Sequence, residues 1–209
     1  DTTGQPLMDK GRQYNRHWGW LNRWSVNEIG DTIQGKRIAL NTRKNYYHKP
    51  QFSLRDFWAV NDKLHISNIA YASIGKGGGT RLDGQTSNYD DEGQLNLQPI
   101  YDENMGMIDP LYSSDLHKAT TILKSSFNNH YWYGLLSTVN YSFSDHTTIS
   151  GGLDARSYKG EHYQEVYDLL GGDYFIDDAN KTQTSLIKKV GDKISYNYDG
   201  LVKWYGGFG

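Results

Sequence analysis

The chain has no cysteine among its 209 residues, which excludes a disulfide framework and thiolate metal sites and fits an exported bacterial protein. It also lacks any run of about 18 apolar residues, the minimum for a transmembrane helix. There is no basic excess: 22 Lys and Arg stand against 24 Asp and Glu, a formal net charge of -2. Nucleic acid as the main partner needs a dense basic patch to displace counterions, so that class is set aside. The start has no initiator Met, basic n-region or apolar h-region, so no signal peptide is read there. No internal repeat of fixed period, low-complexity run or credible domain linker is found.

Aromatic side chains are what the chain has in excess. Six Trp, 17 Tyr and 6 Phe make up 14% of it. Tyr and Trp join an apolar body to a polar tip and favour membrane interfaces and wet binding surfaces, although aromatics are good strand formers anywhere. Many of them alternate with polar residues. Tyr131, Tyr133, Leu135, Val139, Tyr141 and Phe143 are interleaved with Gly134, Thr138, Asn140 and Ser142. After Ser144-Asp145-His146 the alternation resumes, with Ile149, Gly151, Leu153 and Ala155 opposite Ser150, Asp154 and Arg156. A period of two with one apolar and one polar face predicts β-strands whose faces meet different solvents.

The same reading divides the chain into a loop over 1–48, a hairpin over 49–75, a loop over 76–129, a hairpin over 130–158, a loop over 159–191 and a strand over 192–209. Asn61-Asp62-Lys63 and Ser144-Asp145-His146 are tight turns, whereas the other connections run to tens of residues. Within the first hairpin Asp56 and Phe57 break the alternation, and Ile69 and Tyr71 fall opposite Leu64, Ile66, Ala70, Ala72 and Ile74. Loops this long count against an ordinary compact domain. Short turns at one end and long loops at the other are the pattern of an outer-membrane β-barrel, with periplasmic turns and extracellular loops. The mean hydropathy of -0.76 is compatible with that, because only alternate strand residues touch lipid. The expected fold is all-β: an antiparallel transmembrane β-barrel segment of five strands, or six if 193–209 breaks near Gly200. The last segment still alternates at its end, which reads as part of a larger barrel.

No motif carries catalytic chemistry, and no enzyme is expected. Gly75-Lys76-Gly77-Gly78-Gly79-Thr80 lacks the G-K-[ST] order of a phosphate loop. In Glu161-His162-Tyr163-Gln164-Glu165, Val166 replaces the second His of an inverted zinc-protease motif. Asn88, Asp90, Glu92 and Gly93 resemble the start of an EF-hand loop, but Pro99 stands where the bidentate acid is due. With the acidic pair Asp177 and Asp178, a surface Ca²⁺ site is the one cofactor left open; otherwise no cofactor or metal is expected. Tyr14, Arg16, His17, Trp18, Trp20 and Trp24 crowd aromatics and cations into one loop, a composition suited to sugar rings, aryl groups or carboxylates and equally to packing the loop on itself.

Six further segments are distinctive: Tyr14-Asn15-Arg16-His17-Trp18-Gly19, Tyr46-Tyr47-His48-Lys49-Pro50-Gln51, Tyr71 to Gly79, His130 to Leu136, Gly152 to Arg156 and Tyr158 to Tyr163. Together they resemble the middle of the barrel in TonB-dependent receptors of Bacteroidetes-type bacteria. The resemblance implies a 22-stranded barrel with an internal plug, an outer-membrane location, and uptake of a scarce nutrient energised through TonB. No plug and no TonB box are found in the sequence, so the partners implied are the rest of the barrel, its plug, the TonB complex acting through that plug, the lipid bilayer, and possible capping by a surface lipoprotein. On this reading Tyr131, Tyr133, Leu135, Val139, Tyr141, Phe143 and Leu153 face lipid, and Asp154 and Arg156 face the lumen. Two other readings stay open: a soluble or surface β-rich glycan-binding module, and a complete small outer-membrane barrel, which needs about eight strands to close.

Overall fold

A computed structural model describes residues 14–85, 88–91, 93–179 and 182–209. The protein is mostly β with a single helix among the described residues. In chain order the elements are β1 (Trp18–Val26), β2 (Thr32–Asn41), β3 (Asn45–His48), β4 (Gln51–Asn61), β5 (Leu64–Asp83), β6 (Asn88–Tyr89), β7 (Leu95–Asn96) and α1 (Gln98–Gly106). Then follow β8 (Lys118–Ala119), β9 (Ile122–Ser144), β10 (Thr147–Asp168), β11 (Tyr174–Ile176), β12 (Ile187–Lys188) and β13 (Lys193–Phe208). The chain divides into two compact units. The first comprises Asp1–Lys44, Thr80–Ser125 and Glu165–Ile194, and the second Asn45–Gly79, Ser126–Gln164 and Ser195–Gly209.

The first unit is built around an ordinary core. Its hairpin pairs β1 with β2 antiparallel, Leu21 opposite Ile38 and Val26 opposite Thr32. The Asn27 carboxamide shapes the tip by accepting from the N–H groups of Ile29 (3.1 Å) and Asp31 (2.7 Å), and Gly30 supplies the left-handed φ of 89°. Leu21, Leu40, Leu95, Leu97, Ile100, Tyr101, Leu123 and Leu170 pack into one cluster, and Ala119, Ile122, Val166, Leu169 and Ile194 into a second. Each large aliphatic side chain fully buried this way contributes about 1.5–3 kcal/mol. Helix α1 starts with Pro99 in its first turn, where a missing N–H is tolerated. On it Asn104, fully buried, donates to the carbonyls of Thr121 (2.8 Å), Leu169 (3.0 Å) and Leu170 (3.0 Å). Its oxygen accepts from Thr120 N (2.9 Å). One carboxamide thus ties the helix to two loops that have no regular pairing of their own.

The second unit has no such core. Every buried hydrophobic residue among the described residues lies in the first unit. Its framework is a sheet in the order β13-β10-β9-β5, with β3 and β4 both pairing with β5. β3 pairs Asn45 with Gly79 and His48 with Lys76, and β4 pairs Gln51 with Ser73. The two therefore form one edge lane, interrupted at Lys49 and Pro50, where proline has no N–H to give to the ladder. Two-residue turns join β4 to β5 and β9 to β10. In the first, Asn61 Oδ1 accepts from Lys63 N (2.9 Å) and Leu64 N (3.0 Å). Ser142 N donates to Lys63 O at 2.8 Å, so both turns sit at the same end of the sheet.

The strands outrun the lengths expected from sequence. β5, β9 and β10 have 20, 23 and 22 residues, and each extends at its loop end. The run Lys76–Gly79, expected as loop, is strand: with glycine at three of its four positions it shows no period, and neighbouring rings fill the space instead. A Cβ on Gly77 would meet Tyr47 at 2.7 Å, and one on Gly78 would meet Tyr46 at 3.0 Å. The 1–48 loop likewise contains β1 and β2, and the 76–129 loop contains β6, β7, α1 and β8. β13 runs unbroken through Gly200; its irregular point is Ser195, at φ 60°.

Candidate ligand-binding surfaces

In the second unit the sheet has two unlike faces. On the β4–β5 pair Phe52, Leu54 and Trp58 lie opposite Ala72, Ala70 and Ile66. Ser137 Oγ donates to Asn68 Oδ1 at 2.7 Å, which puts Ser137 on the same face as Asn68 and its pairing partner Asp56. By alternation Tyr131, Tyr133, Leu135, Val139, Tyr141 and Phe143 share it. Val139, Tyr141, Ile149 and Leu153 line one shallow groove there. Leu54, Phe143 and Leu153 are 73%, 67% and 70% exposed, so no described residue covers them. Tyr131 is half-buried. Asp56, the break in the β4 alternation, joins Asn68 and Ser137 as a polar group on this face: it accepts from Trp58 Nε1 (2.8 Å) and Asn68 Nδ2 (3.4 Å).

The opposite face is mixed. Trp132 and Tyr158 meet edge to face at 5.4 Å, and Arg156 and Asp154 follow on the same side of β10. Arg156 Nε donates to Asp154 Oδ1 at 2.9 Å, and Nη2 lies 2.5 Å from Oδ2. Tyr71 lies where a Cβ of Gly134 would project, which explains its place opposite Ala70 and Ala72. His162 stacks on Tyr198 at 4.7 Å and bonds Asn128 at 2.7 Å. The Glu161–Glu165 run therefore lies within β10 with its histidine already engaged.

The loop cluster of aromatics and cations is split three ways. Tyr14 bonds the Gly93 carbonyl, and the Arg16 guanidinium lies 5.2 Å above the Tyr89 ring. Trp18 and Trp20 meet edge to face at 5.8 Å on one face of the hairpin, with Arg37 4.7 Å above Trp20. Trp24 departs from both, because the register shift between Asn22 and Trp24 turns it toward α1. There its ring lies 6.1 Å from Tyr101, and Nε1 donates to Asp102 at 2.7 Å. Burial, with Arg43 and Arg16 nearby, holds the His17 imidazole below the ordinary histidine value of 6.5.

Trp24 and Tyr101 belong to a cleft of about 460 Å³ in the first unit. Met105 and Leu169 add apolar wall, and the ion pairs Arg23–Asp168 and His117–Asp173 (3.1 Å) add polar rim. Tyr101 donates to the Trp24 carbonyl at 2.7 Å, and burial raises the phenol above its ordinary value. Arg37, Tyr101, Asp168 and His117 carry no sequence signal for these roles, since long-range packing alone brings them together. The rings, guanidinium and imidazole can stack on and hydrogen-bond a ligand.

The acidic runs are structural. Asp90 accepts from Gln94 N at 2.7 Å and closes the turn between β6 and β7, and Glu92 lies outside the described residues. Asp177, expected as part of a surface acidic patch, is only 3% exposed and accepts from Gln183 Nε2 at 3.0 Å. Among the described residues no group of three or more His, Asp or Glu is placed to hold a metal. No family model matches the chain, and neither a curated protein nor a solved structure matches it.

Proposed function

We propose that the second unit is an arc of an outer-membrane β-barrel, and that the chain serves nutrient uptake of the TonB-dependent kind that its segments resemble. The observation that carries the reading is the exposed apolar face: a sheet without a buried hydrophobic core, one side dominated by exposed aliphatic and aromatic residues, with both tight turns at one end. In water such a face is an aggregation liability; in lipid it is a requirement. The stretch Tyr131–Phe143 is about 40 Å long at ~3.3 Å per residue. Tilted by about 45° it rises about 28 Å, close to the apolar band of roughly 25 Å in such barrels. The mixed face then lines the lumen, and the turns are periplasmic. The first unit supplies the cleft that takes the ligand.

The mechanism is capture followed by passage, without covalent chemistry. Trp24, Tyr101 and the Arg23–Asp168 pair hold the ligand at capture, and lumen side chains such as Arg156 and Asp154 line its route. The plug, the TonB complex and the remaining strands are partners outside these residues. Single cysteines at 153 and 156 test the orientation in proteoliposomes. The expected outcome is modification at 153 by a lipid-soluble maleimide and at 156 by a water-soluble one. The reverse pattern, or aqueous labelling of both, sinks the reading.

A further inference from the structure

The mixed face of the second unit contains a slot of about 280 Å³ lined by Trp132, Arg156, Tyr158, Val202 and Trp204. Three aromatic rings and a valine make its walls almost entirely of carbon. The volume falls just below the ~300–1,000 Å³ of sites that enclose a drug-sized ligand, so the slot suits one ring rather than a whole molecule. Trp132 and Tyr158 stand at 69° to one another, leaving a face and an edge for the offset or edge-on packing that aromatic rings prefer.

Charge and hydrogen bonding narrow the class. The Nε and Nη2 groups of Arg156 both engage Asp154, so the pair contributes no net charge to attract a charged ligand. The guanidinium plane still offers a surface on which an aryl ring stacks. Trp132 Nε1 is buried and has no hydrogen-bond partner, and so is His130 Nε2, on a ring 6.2 Å from Tyr158. An unpaired buried donor is costly, and a ligand acceptor reaching Trp132 Nε1 would relieve that cost. A polyhydroxylated ring needs donors and acceptors around its whole rim, which carbon walls deny it.

We infer that this slot is a binding subsite for an uncharged aryl group bearing one hydrogen-bond acceptor. The inference rests on the mixed face being open to solvent, as the lumen reading has it. Benzamide, as probe, is titrated into the full chain in detergent micelles and followed by ligand-observed NMR, alongside benzoate, toluene and glucose. Benzamide binds at least about tenfold more tightly than benzoate or glucose, and Trp204→Ala weakens it about tenfold by removing a stacking wall. Trp132→Phe keeps a ring and removes the N–H. It weakens benzamide about fivefold, the worth of one hydrogen bond, and leaves toluene unchanged. Tyr205→Ala, on the opposite face, changes neither.

Glucose binding more tightly than benzamide overturns the proposal, and so does benzamide affinity indifferent to Trp204→Ala. Trp204→Phe, which keeps a ring, guards against a folding defect by retaining affinity within about twofold. Slot-dependent benzamide binding together with lipid-side labelling at 156 would retain the slot and remove the barrel reading, so the two fail separately.

Discussion

The first unit buries many of its large aliphatic residues, and the second buries none of those described. Leu21, Leu97, Ile100 and Leu170 are fully or almost fully buried, whereas Leu54, Leu153 and Leu201 are more than two-thirds exposed. Both units use similar residues, so hydrophobicity alone does not decide their placement; the geometry of the secondary structure does. The first unit folds a hairpin, a helix and short strands around enclosed volumes. The second keeps long strands in one layer, and a single layer cannot enclose anything. Its apolar side chains need a solvent supplied from elsewhere.

The largest effect that would test this contrast is expected at Asn104. Asn104→Leu leaves three buried carbonyls and the N–H of Thr120 without partners, for an expected loss of about 3–5 kcal/mol. Hydrogen exchange should show that loss in the first unit while the β9–β10 ladder keeps its protection. Concerted loss in both would mean that the units are not separable in stability. Next comes charge on the displayed face. Leu135→Arg should cost about 2–4 kcal/mol in lipid vesicles, with Thr138→Arg on the opposite face close to neutral. Equal costs in a denaturant titration would erase the distinction between the faces.

A third, smaller effect concerns the ring-for-glycine exchange. A side chain at Gly134 collides with Tyr71, so Gly134→Val should destabilise by about 1–3 kcal/mol. Tyr71→Ala should recover most of that in a double-mutant cycle, and strict additivity would show that the two do not touch. The smallest effect is at His17. Because its pKa is lowered in the folded state, the unfolded chain binds more protons there. The associated stability is therefore present above the ordinary value and declines as pH falls below it. An NMR titration of the His17 ring should show a midpoint below the ordinary histidine value; a midpoint at or above it would contradict the burial.

What was legible in sequence follows the same division. Tyr131 to Phe143 alternates because its two faces meet different surroundings, and Asn61-Asp62-Lys63 and Ser144-Asp145-His146 carry ordinary turn chemistry. β1 was illegible because Trp18 and Trp20 on one face oppose Gly19 and Leu21 on the other, so no polarity contrast appears, and the register shift after Asn22 then reverses the phase. Lys76–Gly79 hid a strand because its three consecutive glycines have no side chains to alternate. Helix α1 has few buried positions, and its hub is a polar residue that no hydrophobic period can reveal. The aromatic loop cluster was visible as composition, but its partition depended on contacts with Tyr89, Arg37 and Tyr101, at large sequence separations.

The paired tight turns also set an order of events in time. A connection of two residues closes with almost no search, whereas joining β5 to β9 requires the intervening segment to be gathered first. Hairpins form within microseconds, and non-local strand pairings lag behind them. β4–β5 and β9–β10 are therefore the pieces that exist earliest, each already sorted into an apolar and a mixed side. Their meeting, marked by the bond from Ser142 to Lys63, is the slow step that follows, so the growing sheet is assembled from preformed doublets rather than from single strands.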